Sequence, residues 1–369
     1  MPGRTAVVAM SGGVDSSVAA ALLREQGYRV IGLFMRVGAA PPPSPSSADG
    51  RPRQGCCSAD DAADARLAAG TLGIAFYSLD FKEDFESLID YFVDEYCAGH
   101  TPNPCVLCNS RLKFGRLLEY ADAVGADFLA TGHHARIHSP DGHPRLQRAT
   151  DRRKDQSYVL FGIPRRVLPR MLLPIGHLTK DAVRREATRL GLPVCDKPDS
   201  VEICFVPDRR YARLVRQRRP EAFRPGAVLD QDGQVLGQHD GIPGFTIGQR
   251  RGLGIAAGHP VYVTRLNVLD NTVTVGPREA LLCRRFRATG LNLHDEGLPA
   301  RFRADVQIRY QHTAAPAEVV LAGDGSAVIA FDQPQAAVTP GQAAVFYRAD
   351  LVLGGGWIDR ILDDHGNPG

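Results

Sequence analysis

Apolar and polar positions along the first 200 residues follow two alternating periods. Short apolar runs at 5–10 (TAVVAM), 29–35 (RVIGLFM), 74–80 (IAFYSLD) and 127–134 (DFLATGHH) read as strands. Between them, 16–26, 59–72, 82–98 and 109–124 carry apolar residues at helical spacing, with Ser58 and Asn109 as N-cap candidates. Apolar strands alternating with amphipathic helices predict a parallel sheet covered on both faces. A PDG turn at 140–142 marks a hairpin, and Thr179 is placed to cap a helix ending near Leu190. The run 38–55, GAAPPPSPSSADGRPRQG, carries neither period and reads as a flexible insertion. After an Arg-rich helix near 209–219, short strands take over, separated by QDGQ, LDNT, AGDG and VTPGQ. The expected class is α/β: an N-terminal Rossmann-like parallel sheet over 1–207, a small β-rich domain over 208–277 and a C-terminal β-barrel over 278–369.

Composition narrows the class without changing that picture. At 369 residues, 44% hydrophobic and 23% charged, the chain suits two or three soluble domains. No stretch approaches the roughly 18–20 apolar residues of a membrane span, and the N-terminus is broken by SGG too early for a secretory signal. The expected location is the cytoplasm, with no membrane partner. In a reducing compartment the eight cysteines do not read as a disulfide framework, and core packing accounts for Cys97, Cys195 and Cys283. A net charge of +3 does not by itself announce a nucleic acid. The basic clusters at 209–219, 284–287 and 301–309 each read first as solvated surface. Only five of the 44 basic residues are lysine (Lys82, Lys113, Lys154, Lys180 and Lys197). A lysine kept against an arginine bias hints at a need for a compact ammonium.

The motif richest in chemistry is AMSGGVDSS (9–17), between an apolar strand and an amphipathic helix. Glycines let backbone N–H groups crowd an anion, the helix N-terminus adds partial positive charge, and Ser11, Ser16 and Ser17 add hydroxyls. There is no GxxxxGK[ST], so this is not a loop built to cradle β and γ phosphates for hydrolysis. SGGxDS is instead the signature of ATP pyrophosphatases, which cleave between the α and β phosphates. On that reading Ala9, Met10, Ser11, Gly12, Gly13, Val14, Asp15 and Ser16 hold ATP, with Asp15 in reach of a phosphate-bound Mg2+. Backbone near Met35, at the end of the neighbouring strand, is positioned to meet the adenine, although core packing alone accounts for its side chain.

The stretch TPNPCVLCN (101–109) admits a zinc clip, a redox pair or a sulfur-handling site. Cys108 directly precedes the expected start of a helix at Asn109, where the helix N-terminus and Lys113 one turn on would favour a thiolate. Structural zinc sites usually come as two close pairs, and no second CxxC exists, so zinc is the weaker account. Far downstream, Cys204 lies in CDKPDSVEICFV (195–206).

Together these motifs resemble the tRNA-specific 2-thiouridylases, over nearly the whole chain. The resemblance is carried by MSGGVDSS, TPNPCVLCNSRLKF (101–114), ATGHHAR (130–136), KDQSY (154–158), the region of Cys204, GQHDGIPGFTIGQRRGLG (237–254) and RYQH (309–312). It implies ATP-dependent 2-thiolation of a wobble uridine: adenylation of the uracil C2 oxygen, then displacement of AMP by sulfur. It implies that Cys204 accepts a persulfide from an upstream carrier or cysteine desulfurase, that Cys108 resolves it through a disulfide, and that Gly132 lies near ATP. Asn103, Pro104 and Cys105 are the implied neighbours of the target base. His133, Lys154, Asp155, Gln156, Arg309, Tyr310 and Gln342 are the implied tRNA contacts.

One position departs from the family. Many relatives carry aspartate where this chain has Cys105, and with Cys108 and Cys204 that makes three thiols able to hold a four-iron four-sulfur cluster with one open iron. Persulfide chemistry on Cys204, with Cys105 a bystander, stands beside it. The rival functions are an amide-forming ATP pyrophosphatase ligase, for which no ammonia-producing segment is evident, and a non-catalytic RNA-binding module clipped by zinc.

Overall fold

The strand β1 (Thr5–Ala9) sits at the centre of a parallel sheet because its side chains are apolar on both faces: Ala6, Val7 and Val8 are all fully buried. The computed structural model describes residues 3–38, 59–198, 203–206, 208–255 and 258–363. They fall into two compact units. One comprises Met1–Leu88, Cys105–Arg209 and Asp350–Val352; the other comprises Ile89–Pro104, Arg210–Ala349 and Leu353–Gly369.

In the first unit the chain runs β1, α1 (Val14–Glu25), β2 (Arg29–Arg36), α2 (Ala59–Thr71), β3 (Ala75–Asp80) and α3 (Lys82–Cys97), which continues into the second unit. A helical run follows, with α4 (Pro104–Leu107), a π-helical segment Cys108–Arg116 and α5 (Leu117–Ala123). Then come β4 (Phe128–Thr131), β5 (Ala135–His138), β6 (Arg145–Arg148), β7 (Met171–Leu172) and α6 (Lys180–Arg189). The sheet order is β3-β2-β1-β4-β7, with every pair parallel. Successive strands step one way from β1 to β3, and β4 then returns to the opposite side of β1. The C-terminal end of β1 is therefore the switch point where α/β sheets bind ligands. Val18, Ala19 and Leu23 of α1 share a core with Phe34 of β2 and with Val183 and Ala187 of α6. Thr179 caps α6 as expected, its hydroxyl accepting from Ala182 N at 3.2 Å. β5 and β6 pair antiparallel across the PDG turn, with Gly142 at φ +75°.

The second unit holds α7 (Tyr211–Arg218) and a four-stranded sheet of β8 (Gly226–Leu229), β9 (Val235–His239), β10 (Tyr262–Asn267) and β11 (Thr272–Gly276). Val228, Val263, Val273 and Phe245 form its core. Six longer antiparallel strands follow: β12 (Leu282–Leu293), β13 (Arg301–Gln307), β14 (Ala315–Leu321), β15 (Ala327–Ala336), β16 (Ala343–Arg348) and β17 (Leu351–Leu362). Because β12 pairs with both β15 and β17, the sheet closes into a barrel and leaves no edge. Phe286, Phe331 and Phe346 fill its interior.

Three expectations change. The helix expected to begin at Asn109 begins at Pro104, whose fixed φ suits a first helical position. Asn109 therefore lies inside the helical run, buried, donating from Nδ2 to Val159 O at 3.2 Å rather than capping. The strand expected to reach His134 ends at Thr131, and the Arg-rich helix is confined to Tyr211–Arg218. Ser58 and all of the 38–55 insertion except Gly38 lie outside the described residues. Among the described residues no helix is long and apolar enough to cross a membrane.

Barrel closure depends on Gly354, at φ +138°, where a Cβ would lie 2.3 Å from Asn292 O on the facing strand. Gly354→Ala is expected to cost about 1–3 kcal/mol. The lone tryptophan, Trp357, is on the same strand, so its fluorescence in a urea titration reports the change. An unaltered midpoint would contradict this role.

Candidate functional site

The turn Met10–Gly13 leaves β1 at the switch point and enters α1. Gly12 has φ +72°, and a Cβ there would lie 2.2 Å from Asp61 O, so the turn tolerates only glycine. Gly13, in extended conformation, is the N-cap of α1 and has no side chain to occupy the first N–H groups, which stay available to an anion. Ser16 Oγ accepts from Ser11 N at 3.2 Å and donates to Gly13 O at 3.2 Å, fixing the turn from inside. Ser17 is wholly buried and its hydroxyl donates to Gly13 O at 3.0 Å, bracing the helix start. Gly132, just past β4, packs against this helix start, since a Cβ would stand 2.5 Å from Ser16 N. Met10 turns its side chain into the core, where its sulfur lies 2.6 Å from where a Cβ on Gly32 would be. Met35 is half-buried near the end of β2.

Two lysines organise the charges. Lys180 Nζ donates to both carboxylate oxygens of Asp15, each at 2.8 Å, and His134 Nε2 stands 3.5 Å from Asp15 Oδ1. Burial opposes ionisation of Asp15, but the contact with His134 and the ammonium of Lys180 outweigh it, and its pKa falls below the usual carboxylate value. Both oxygens of Asp15 thus accept from one ammonium. Lys197 Nζ donates to Gly12 O at 3.0 Å, Asp61 Oδ1 at 2.7 Å and Asp64 Oδ2 at 2.5 Å. Burial disfavours its charge, yet the two aspartates prevail and raise its pKa above the ordinary lysine value. Lys197 is thereby a strap between the phosphate turn, α2 and the segment that leads to Cys204. Arg184 holds the same segment through Cys195 O (2.9 Å) and Lys197 O (3.2 Å).

Beyond Lys197, the ring of Phe205 packs edge-on against Phe85 with centroids 5.7 Å apart. Cys204 thus sits beside a fixed residue, half-buried. Cys105 is exposed in the first turn of the helical run and Cys108 is half-buried at the start of its π-helical segment. The helix N-terminus invoked for Cys108 therefore belongs to Cys105, because the run begins five residues earlier than expected. Among the described residues no three His, Cys, Asp or Glu side chains form a group able to hold a metal. Cys105, Cys108 and Cys204 are all described and do not come together as a cluster ligand set. Cys283 is inert in the barrel core, where burial pushes its thiol up to about 11.

His133 is buried, with Nδ1 2.7 Å from Thr131 Oγ1 and Nε2 3.4 Å from Lys113 Nζ. Burial, then the adjacent ammonium, drives its pKa well below the imidazole value, so it is a neutral hydrogen-bonding group. In the KDQ stretch, Asp155 is taken up internally by Arg148 (2.9 Å), Ala149 N (2.9 Å) and Ser157 Oγ (2.8 Å). Gln156 clasps His134 by side chain and backbone, both at 2.8 Å. Lys154 is partly exposed. In the second unit, Gln342 Nε2 donates to Thr101 O at 2.8 Å, holding the TPNP segment of Asn103 and Pro104 in that same unit. Tyr310 is 43% exposed and, with Arg309, has its carbonyl fixed by Gln307 Nε2. In the other basic clusters, Arg287, Arg301 and Arg303 pair with Asp324, Glu318 and Asp332 on the barrel surface, as a solvated face does.

Sequence reasoning gave Lys180 and Lys197 no role beyond the hint carried by the scarcity of lysine, and it missed Asp61 and Asp64.

Residues 4–208 match the model of the tRNA methyl transferase HUP domain, 213–277 the tRNA methyl transferase PRC-barrel domain and 283–358 the aminomethyltransferase beta-barrel domain. The chain is 50% identical to the tRNA-specific 2-thiouridylase MnmA of Heliobacterium modesticaldum, covering 97% of this chain and 93% of that one. It is 48% identical to the protein of the same name from Rhodopirellula baltica (97% and 96% covered) and 47% identical to that from Carboxydothermus hydrogenoformans (96% and 98% covered).

A group with a depressed folded-state pKa contributes stability above its unfolded pKa and loses it as pH falls through the folded value. Asp15 is therefore ionised throughout the neutral range. In Lys180→Met its carboxyl is expected to titrate at higher pH than in the wild type, read from the 13C carboxyl shift. An identical titration would remove Lys180 as its charge partner.

Proposed function

The chain belongs to the tRNA-specific 2-thiouridylase family, and on that premise we propose that it is a tRNA-uridine 2-sulfurtransferase that thiolates the wobble uridine with ATP. The observation that favours this reading is the Lys197 strap, which ties the phosphate turn and α2 to a residue seven positions before Cys204 in the sequence. The domain descriptions speak of methyl transfer, whereas the full-length relatives are named for thiolation, and thiols on two segments favour the latter.

ATP lies over Met10–Ser16, its phosphates against the first N–H groups of α1, with Gly132 and the end of β2 near Met35 beside the nucleoside. The uracil C2 oxygen attacks the α phosphorus and pyrophosphate leaves, so the oxygen becomes part of a good leaving group. A terminal persulfide sulfur on Cys204, delivered by a sulfur carrier or cysteine desulfurase, adds to C2 and AMP departs with the original oxygen. The Cys108 thiolate then attacks Cys204 Sγ, the S–S bond to the new C2 sulfur breaks and 2-thiouridine is released. The resulting Cys108–Cys204 disulfide requires two electrons from a cellular thiol to reset. These steps use only the thiols of Cys204 and Cys108, and none is assigned to an iron–sulfur cluster.

Asn103, Pro104 and Cys105 are proposed to meet the target base. Lys154, Arg309 and Tyr310 supply a phosphate donor, a second cation and a stacking ring. Asp155, Gln156 and Gln342 act by shaping the loops that present them, and neutral His133 acts as a hydrogen-bonding group.

Cys204→Ser is expected to abolish thiolation of tRNA transcripts while leaving ATP affinity within about twofold, read by mass spectrometry of nucleosides and by calorimetry. Retained 2-thiouridine would refute the sulfur role of Cys204.

A further inference from the structure

The motif 237–254 takes no part in the chemistry above, yet within the second unit it builds a pocket of about 440 Å3. One wall is α7, which presents the exposed guanidinium groups of Arg213 and Arg216 one turn apart. The Arg216 guanidinium lies over the ring of Phe223 at 4.2 Å from its centroid, a cation–aromatic pair. The other wall is glycine-rich. At Gly244 and Gly254 a Cβ would meet nothing within 4 Å, so open space adjoins bare backbone there. That wall is rigid. Gln249 Oε1 accepts from Thr246 N at 3.0 Å and its Nε2 donates to Arg251 O at 3.0 Å. Tyr211 OH meets Thr246 Oγ1 at 3.1 Å, which ties the wall to α7. His239, also lining the pocket, is buried with both nitrogens engaged, to Gly241 N and Asn271 O, and burial lowers its pKa. Asp240 is the one carboxylate among the lining residues.

A planar cation over an aromatic ring suits the face of a base, paired guanidiniums suit phosphate, and the volume falls in the range of small-ligand sites. We infer that this pocket seats one unpaired tRNA nucleotide other than the reacting uridine, its phosphate against Arg213 and Arg216 and its base along the Arg216–Phe223 pair. The inference rests on the tRNA reading above. The arginines are exposed, and an exposed ion pair gains about fivefold or less. A free mononucleotide would therefore be held weakly, whereas a polyanion gains from every phosphate it neutralises.

The test compares wild type, Arg213→Gln/Arg216→Gln and Arg216→Lys by fluorescence anisotropy with labelled tRNA at several salt concentrations, with ATP calorimetry and nucleoside analysis alongside. The double variant is expected to bind tRNA at least tenfold more weakly and to lower the slope of log Kd against log salt by about 0.7–0.9, the share of one phosphate. Arg216→Lys should restore most of the slope but not the affinity, since an ammonium cannot stack flat. ATP affinity should not change. Variants that match the wild type in tRNA affinity and slope, while the wild type thiolates, overturn the pocket and leave the tRNA reading standing. AMP binding lost in the double variant with tRNA affinity retained would assign the pocket to a free nucleotide and overturn the inference. A wild-type chain that binds no tRNA overturns both.

Discussion

One ammonium carries the organisation of the first unit. Lys197 Nζ bonds the carbonyl of Gly12 and two carboxylates of α2, so the phosphate turn, the helix behind it and the segment leading to Cys204 share one anchor. The pair is mostly shielded at Asp61 and more open at Asp64. Removing the cation would take a charge partner from buried Asp61, a loss that reaches the order of 3–5 kcal/mol for well-buried pairs and is less where water reaches. A lysine suits this place because three acceptors converge on one point, which a compact ammonium satisfies and a planar guanidinium does not.

The same logic sets the phosphate site. A carboxylate at the start of α1 would repel the anion the turn is built to receive, and Lys180 cancels that charge at 2.8 Å. The remaining local field comes from the helix start and the bare N–H groups around Gly13. Gly12 and Gly132 matter here because backbone from α2 and α1 passes where their side chains would stand. The phosphate turn, α2 and the segment of Lys197 are then parts of one hydrogen-bonded frame. Such a frame suits a reaction whose second nucleophile must wait for the first step to finish.

What the sequence disclosed was largely local. β1 and β2 were legible because fully apolar strands have few other places to go. The hairpin at 140–142 and the cap at Thr179 were legible because turn and cap chemistry act over a few residues. The Asn109 assignment failed where two local signals competed, and Pro104 prevailed because its ring already holds the φ of a first helical residue. Lys180 and Lys197 could not be assigned, since their partners lie 165 and 185 positions away and no period connects them. Motif membership singled out Asp155, Gln156 and Gln342, but a motif does not show the hydrogen bonds each side chain makes within the chain.

The frame is tested most directly by hydrogen–deuterium exchange on Lys197→Met against the wild type, resolved to peptides covering 9–17 and 203–206. If one ammonium joins the two segments, its loss speeds exchange in both together, and Lys197→Arg gives a smaller rise in both. Faster exchange in one peptide with the other unchanged would mean that the phosphate turn and the Cys204 segment are held separately, and the shared anchor would be wrong.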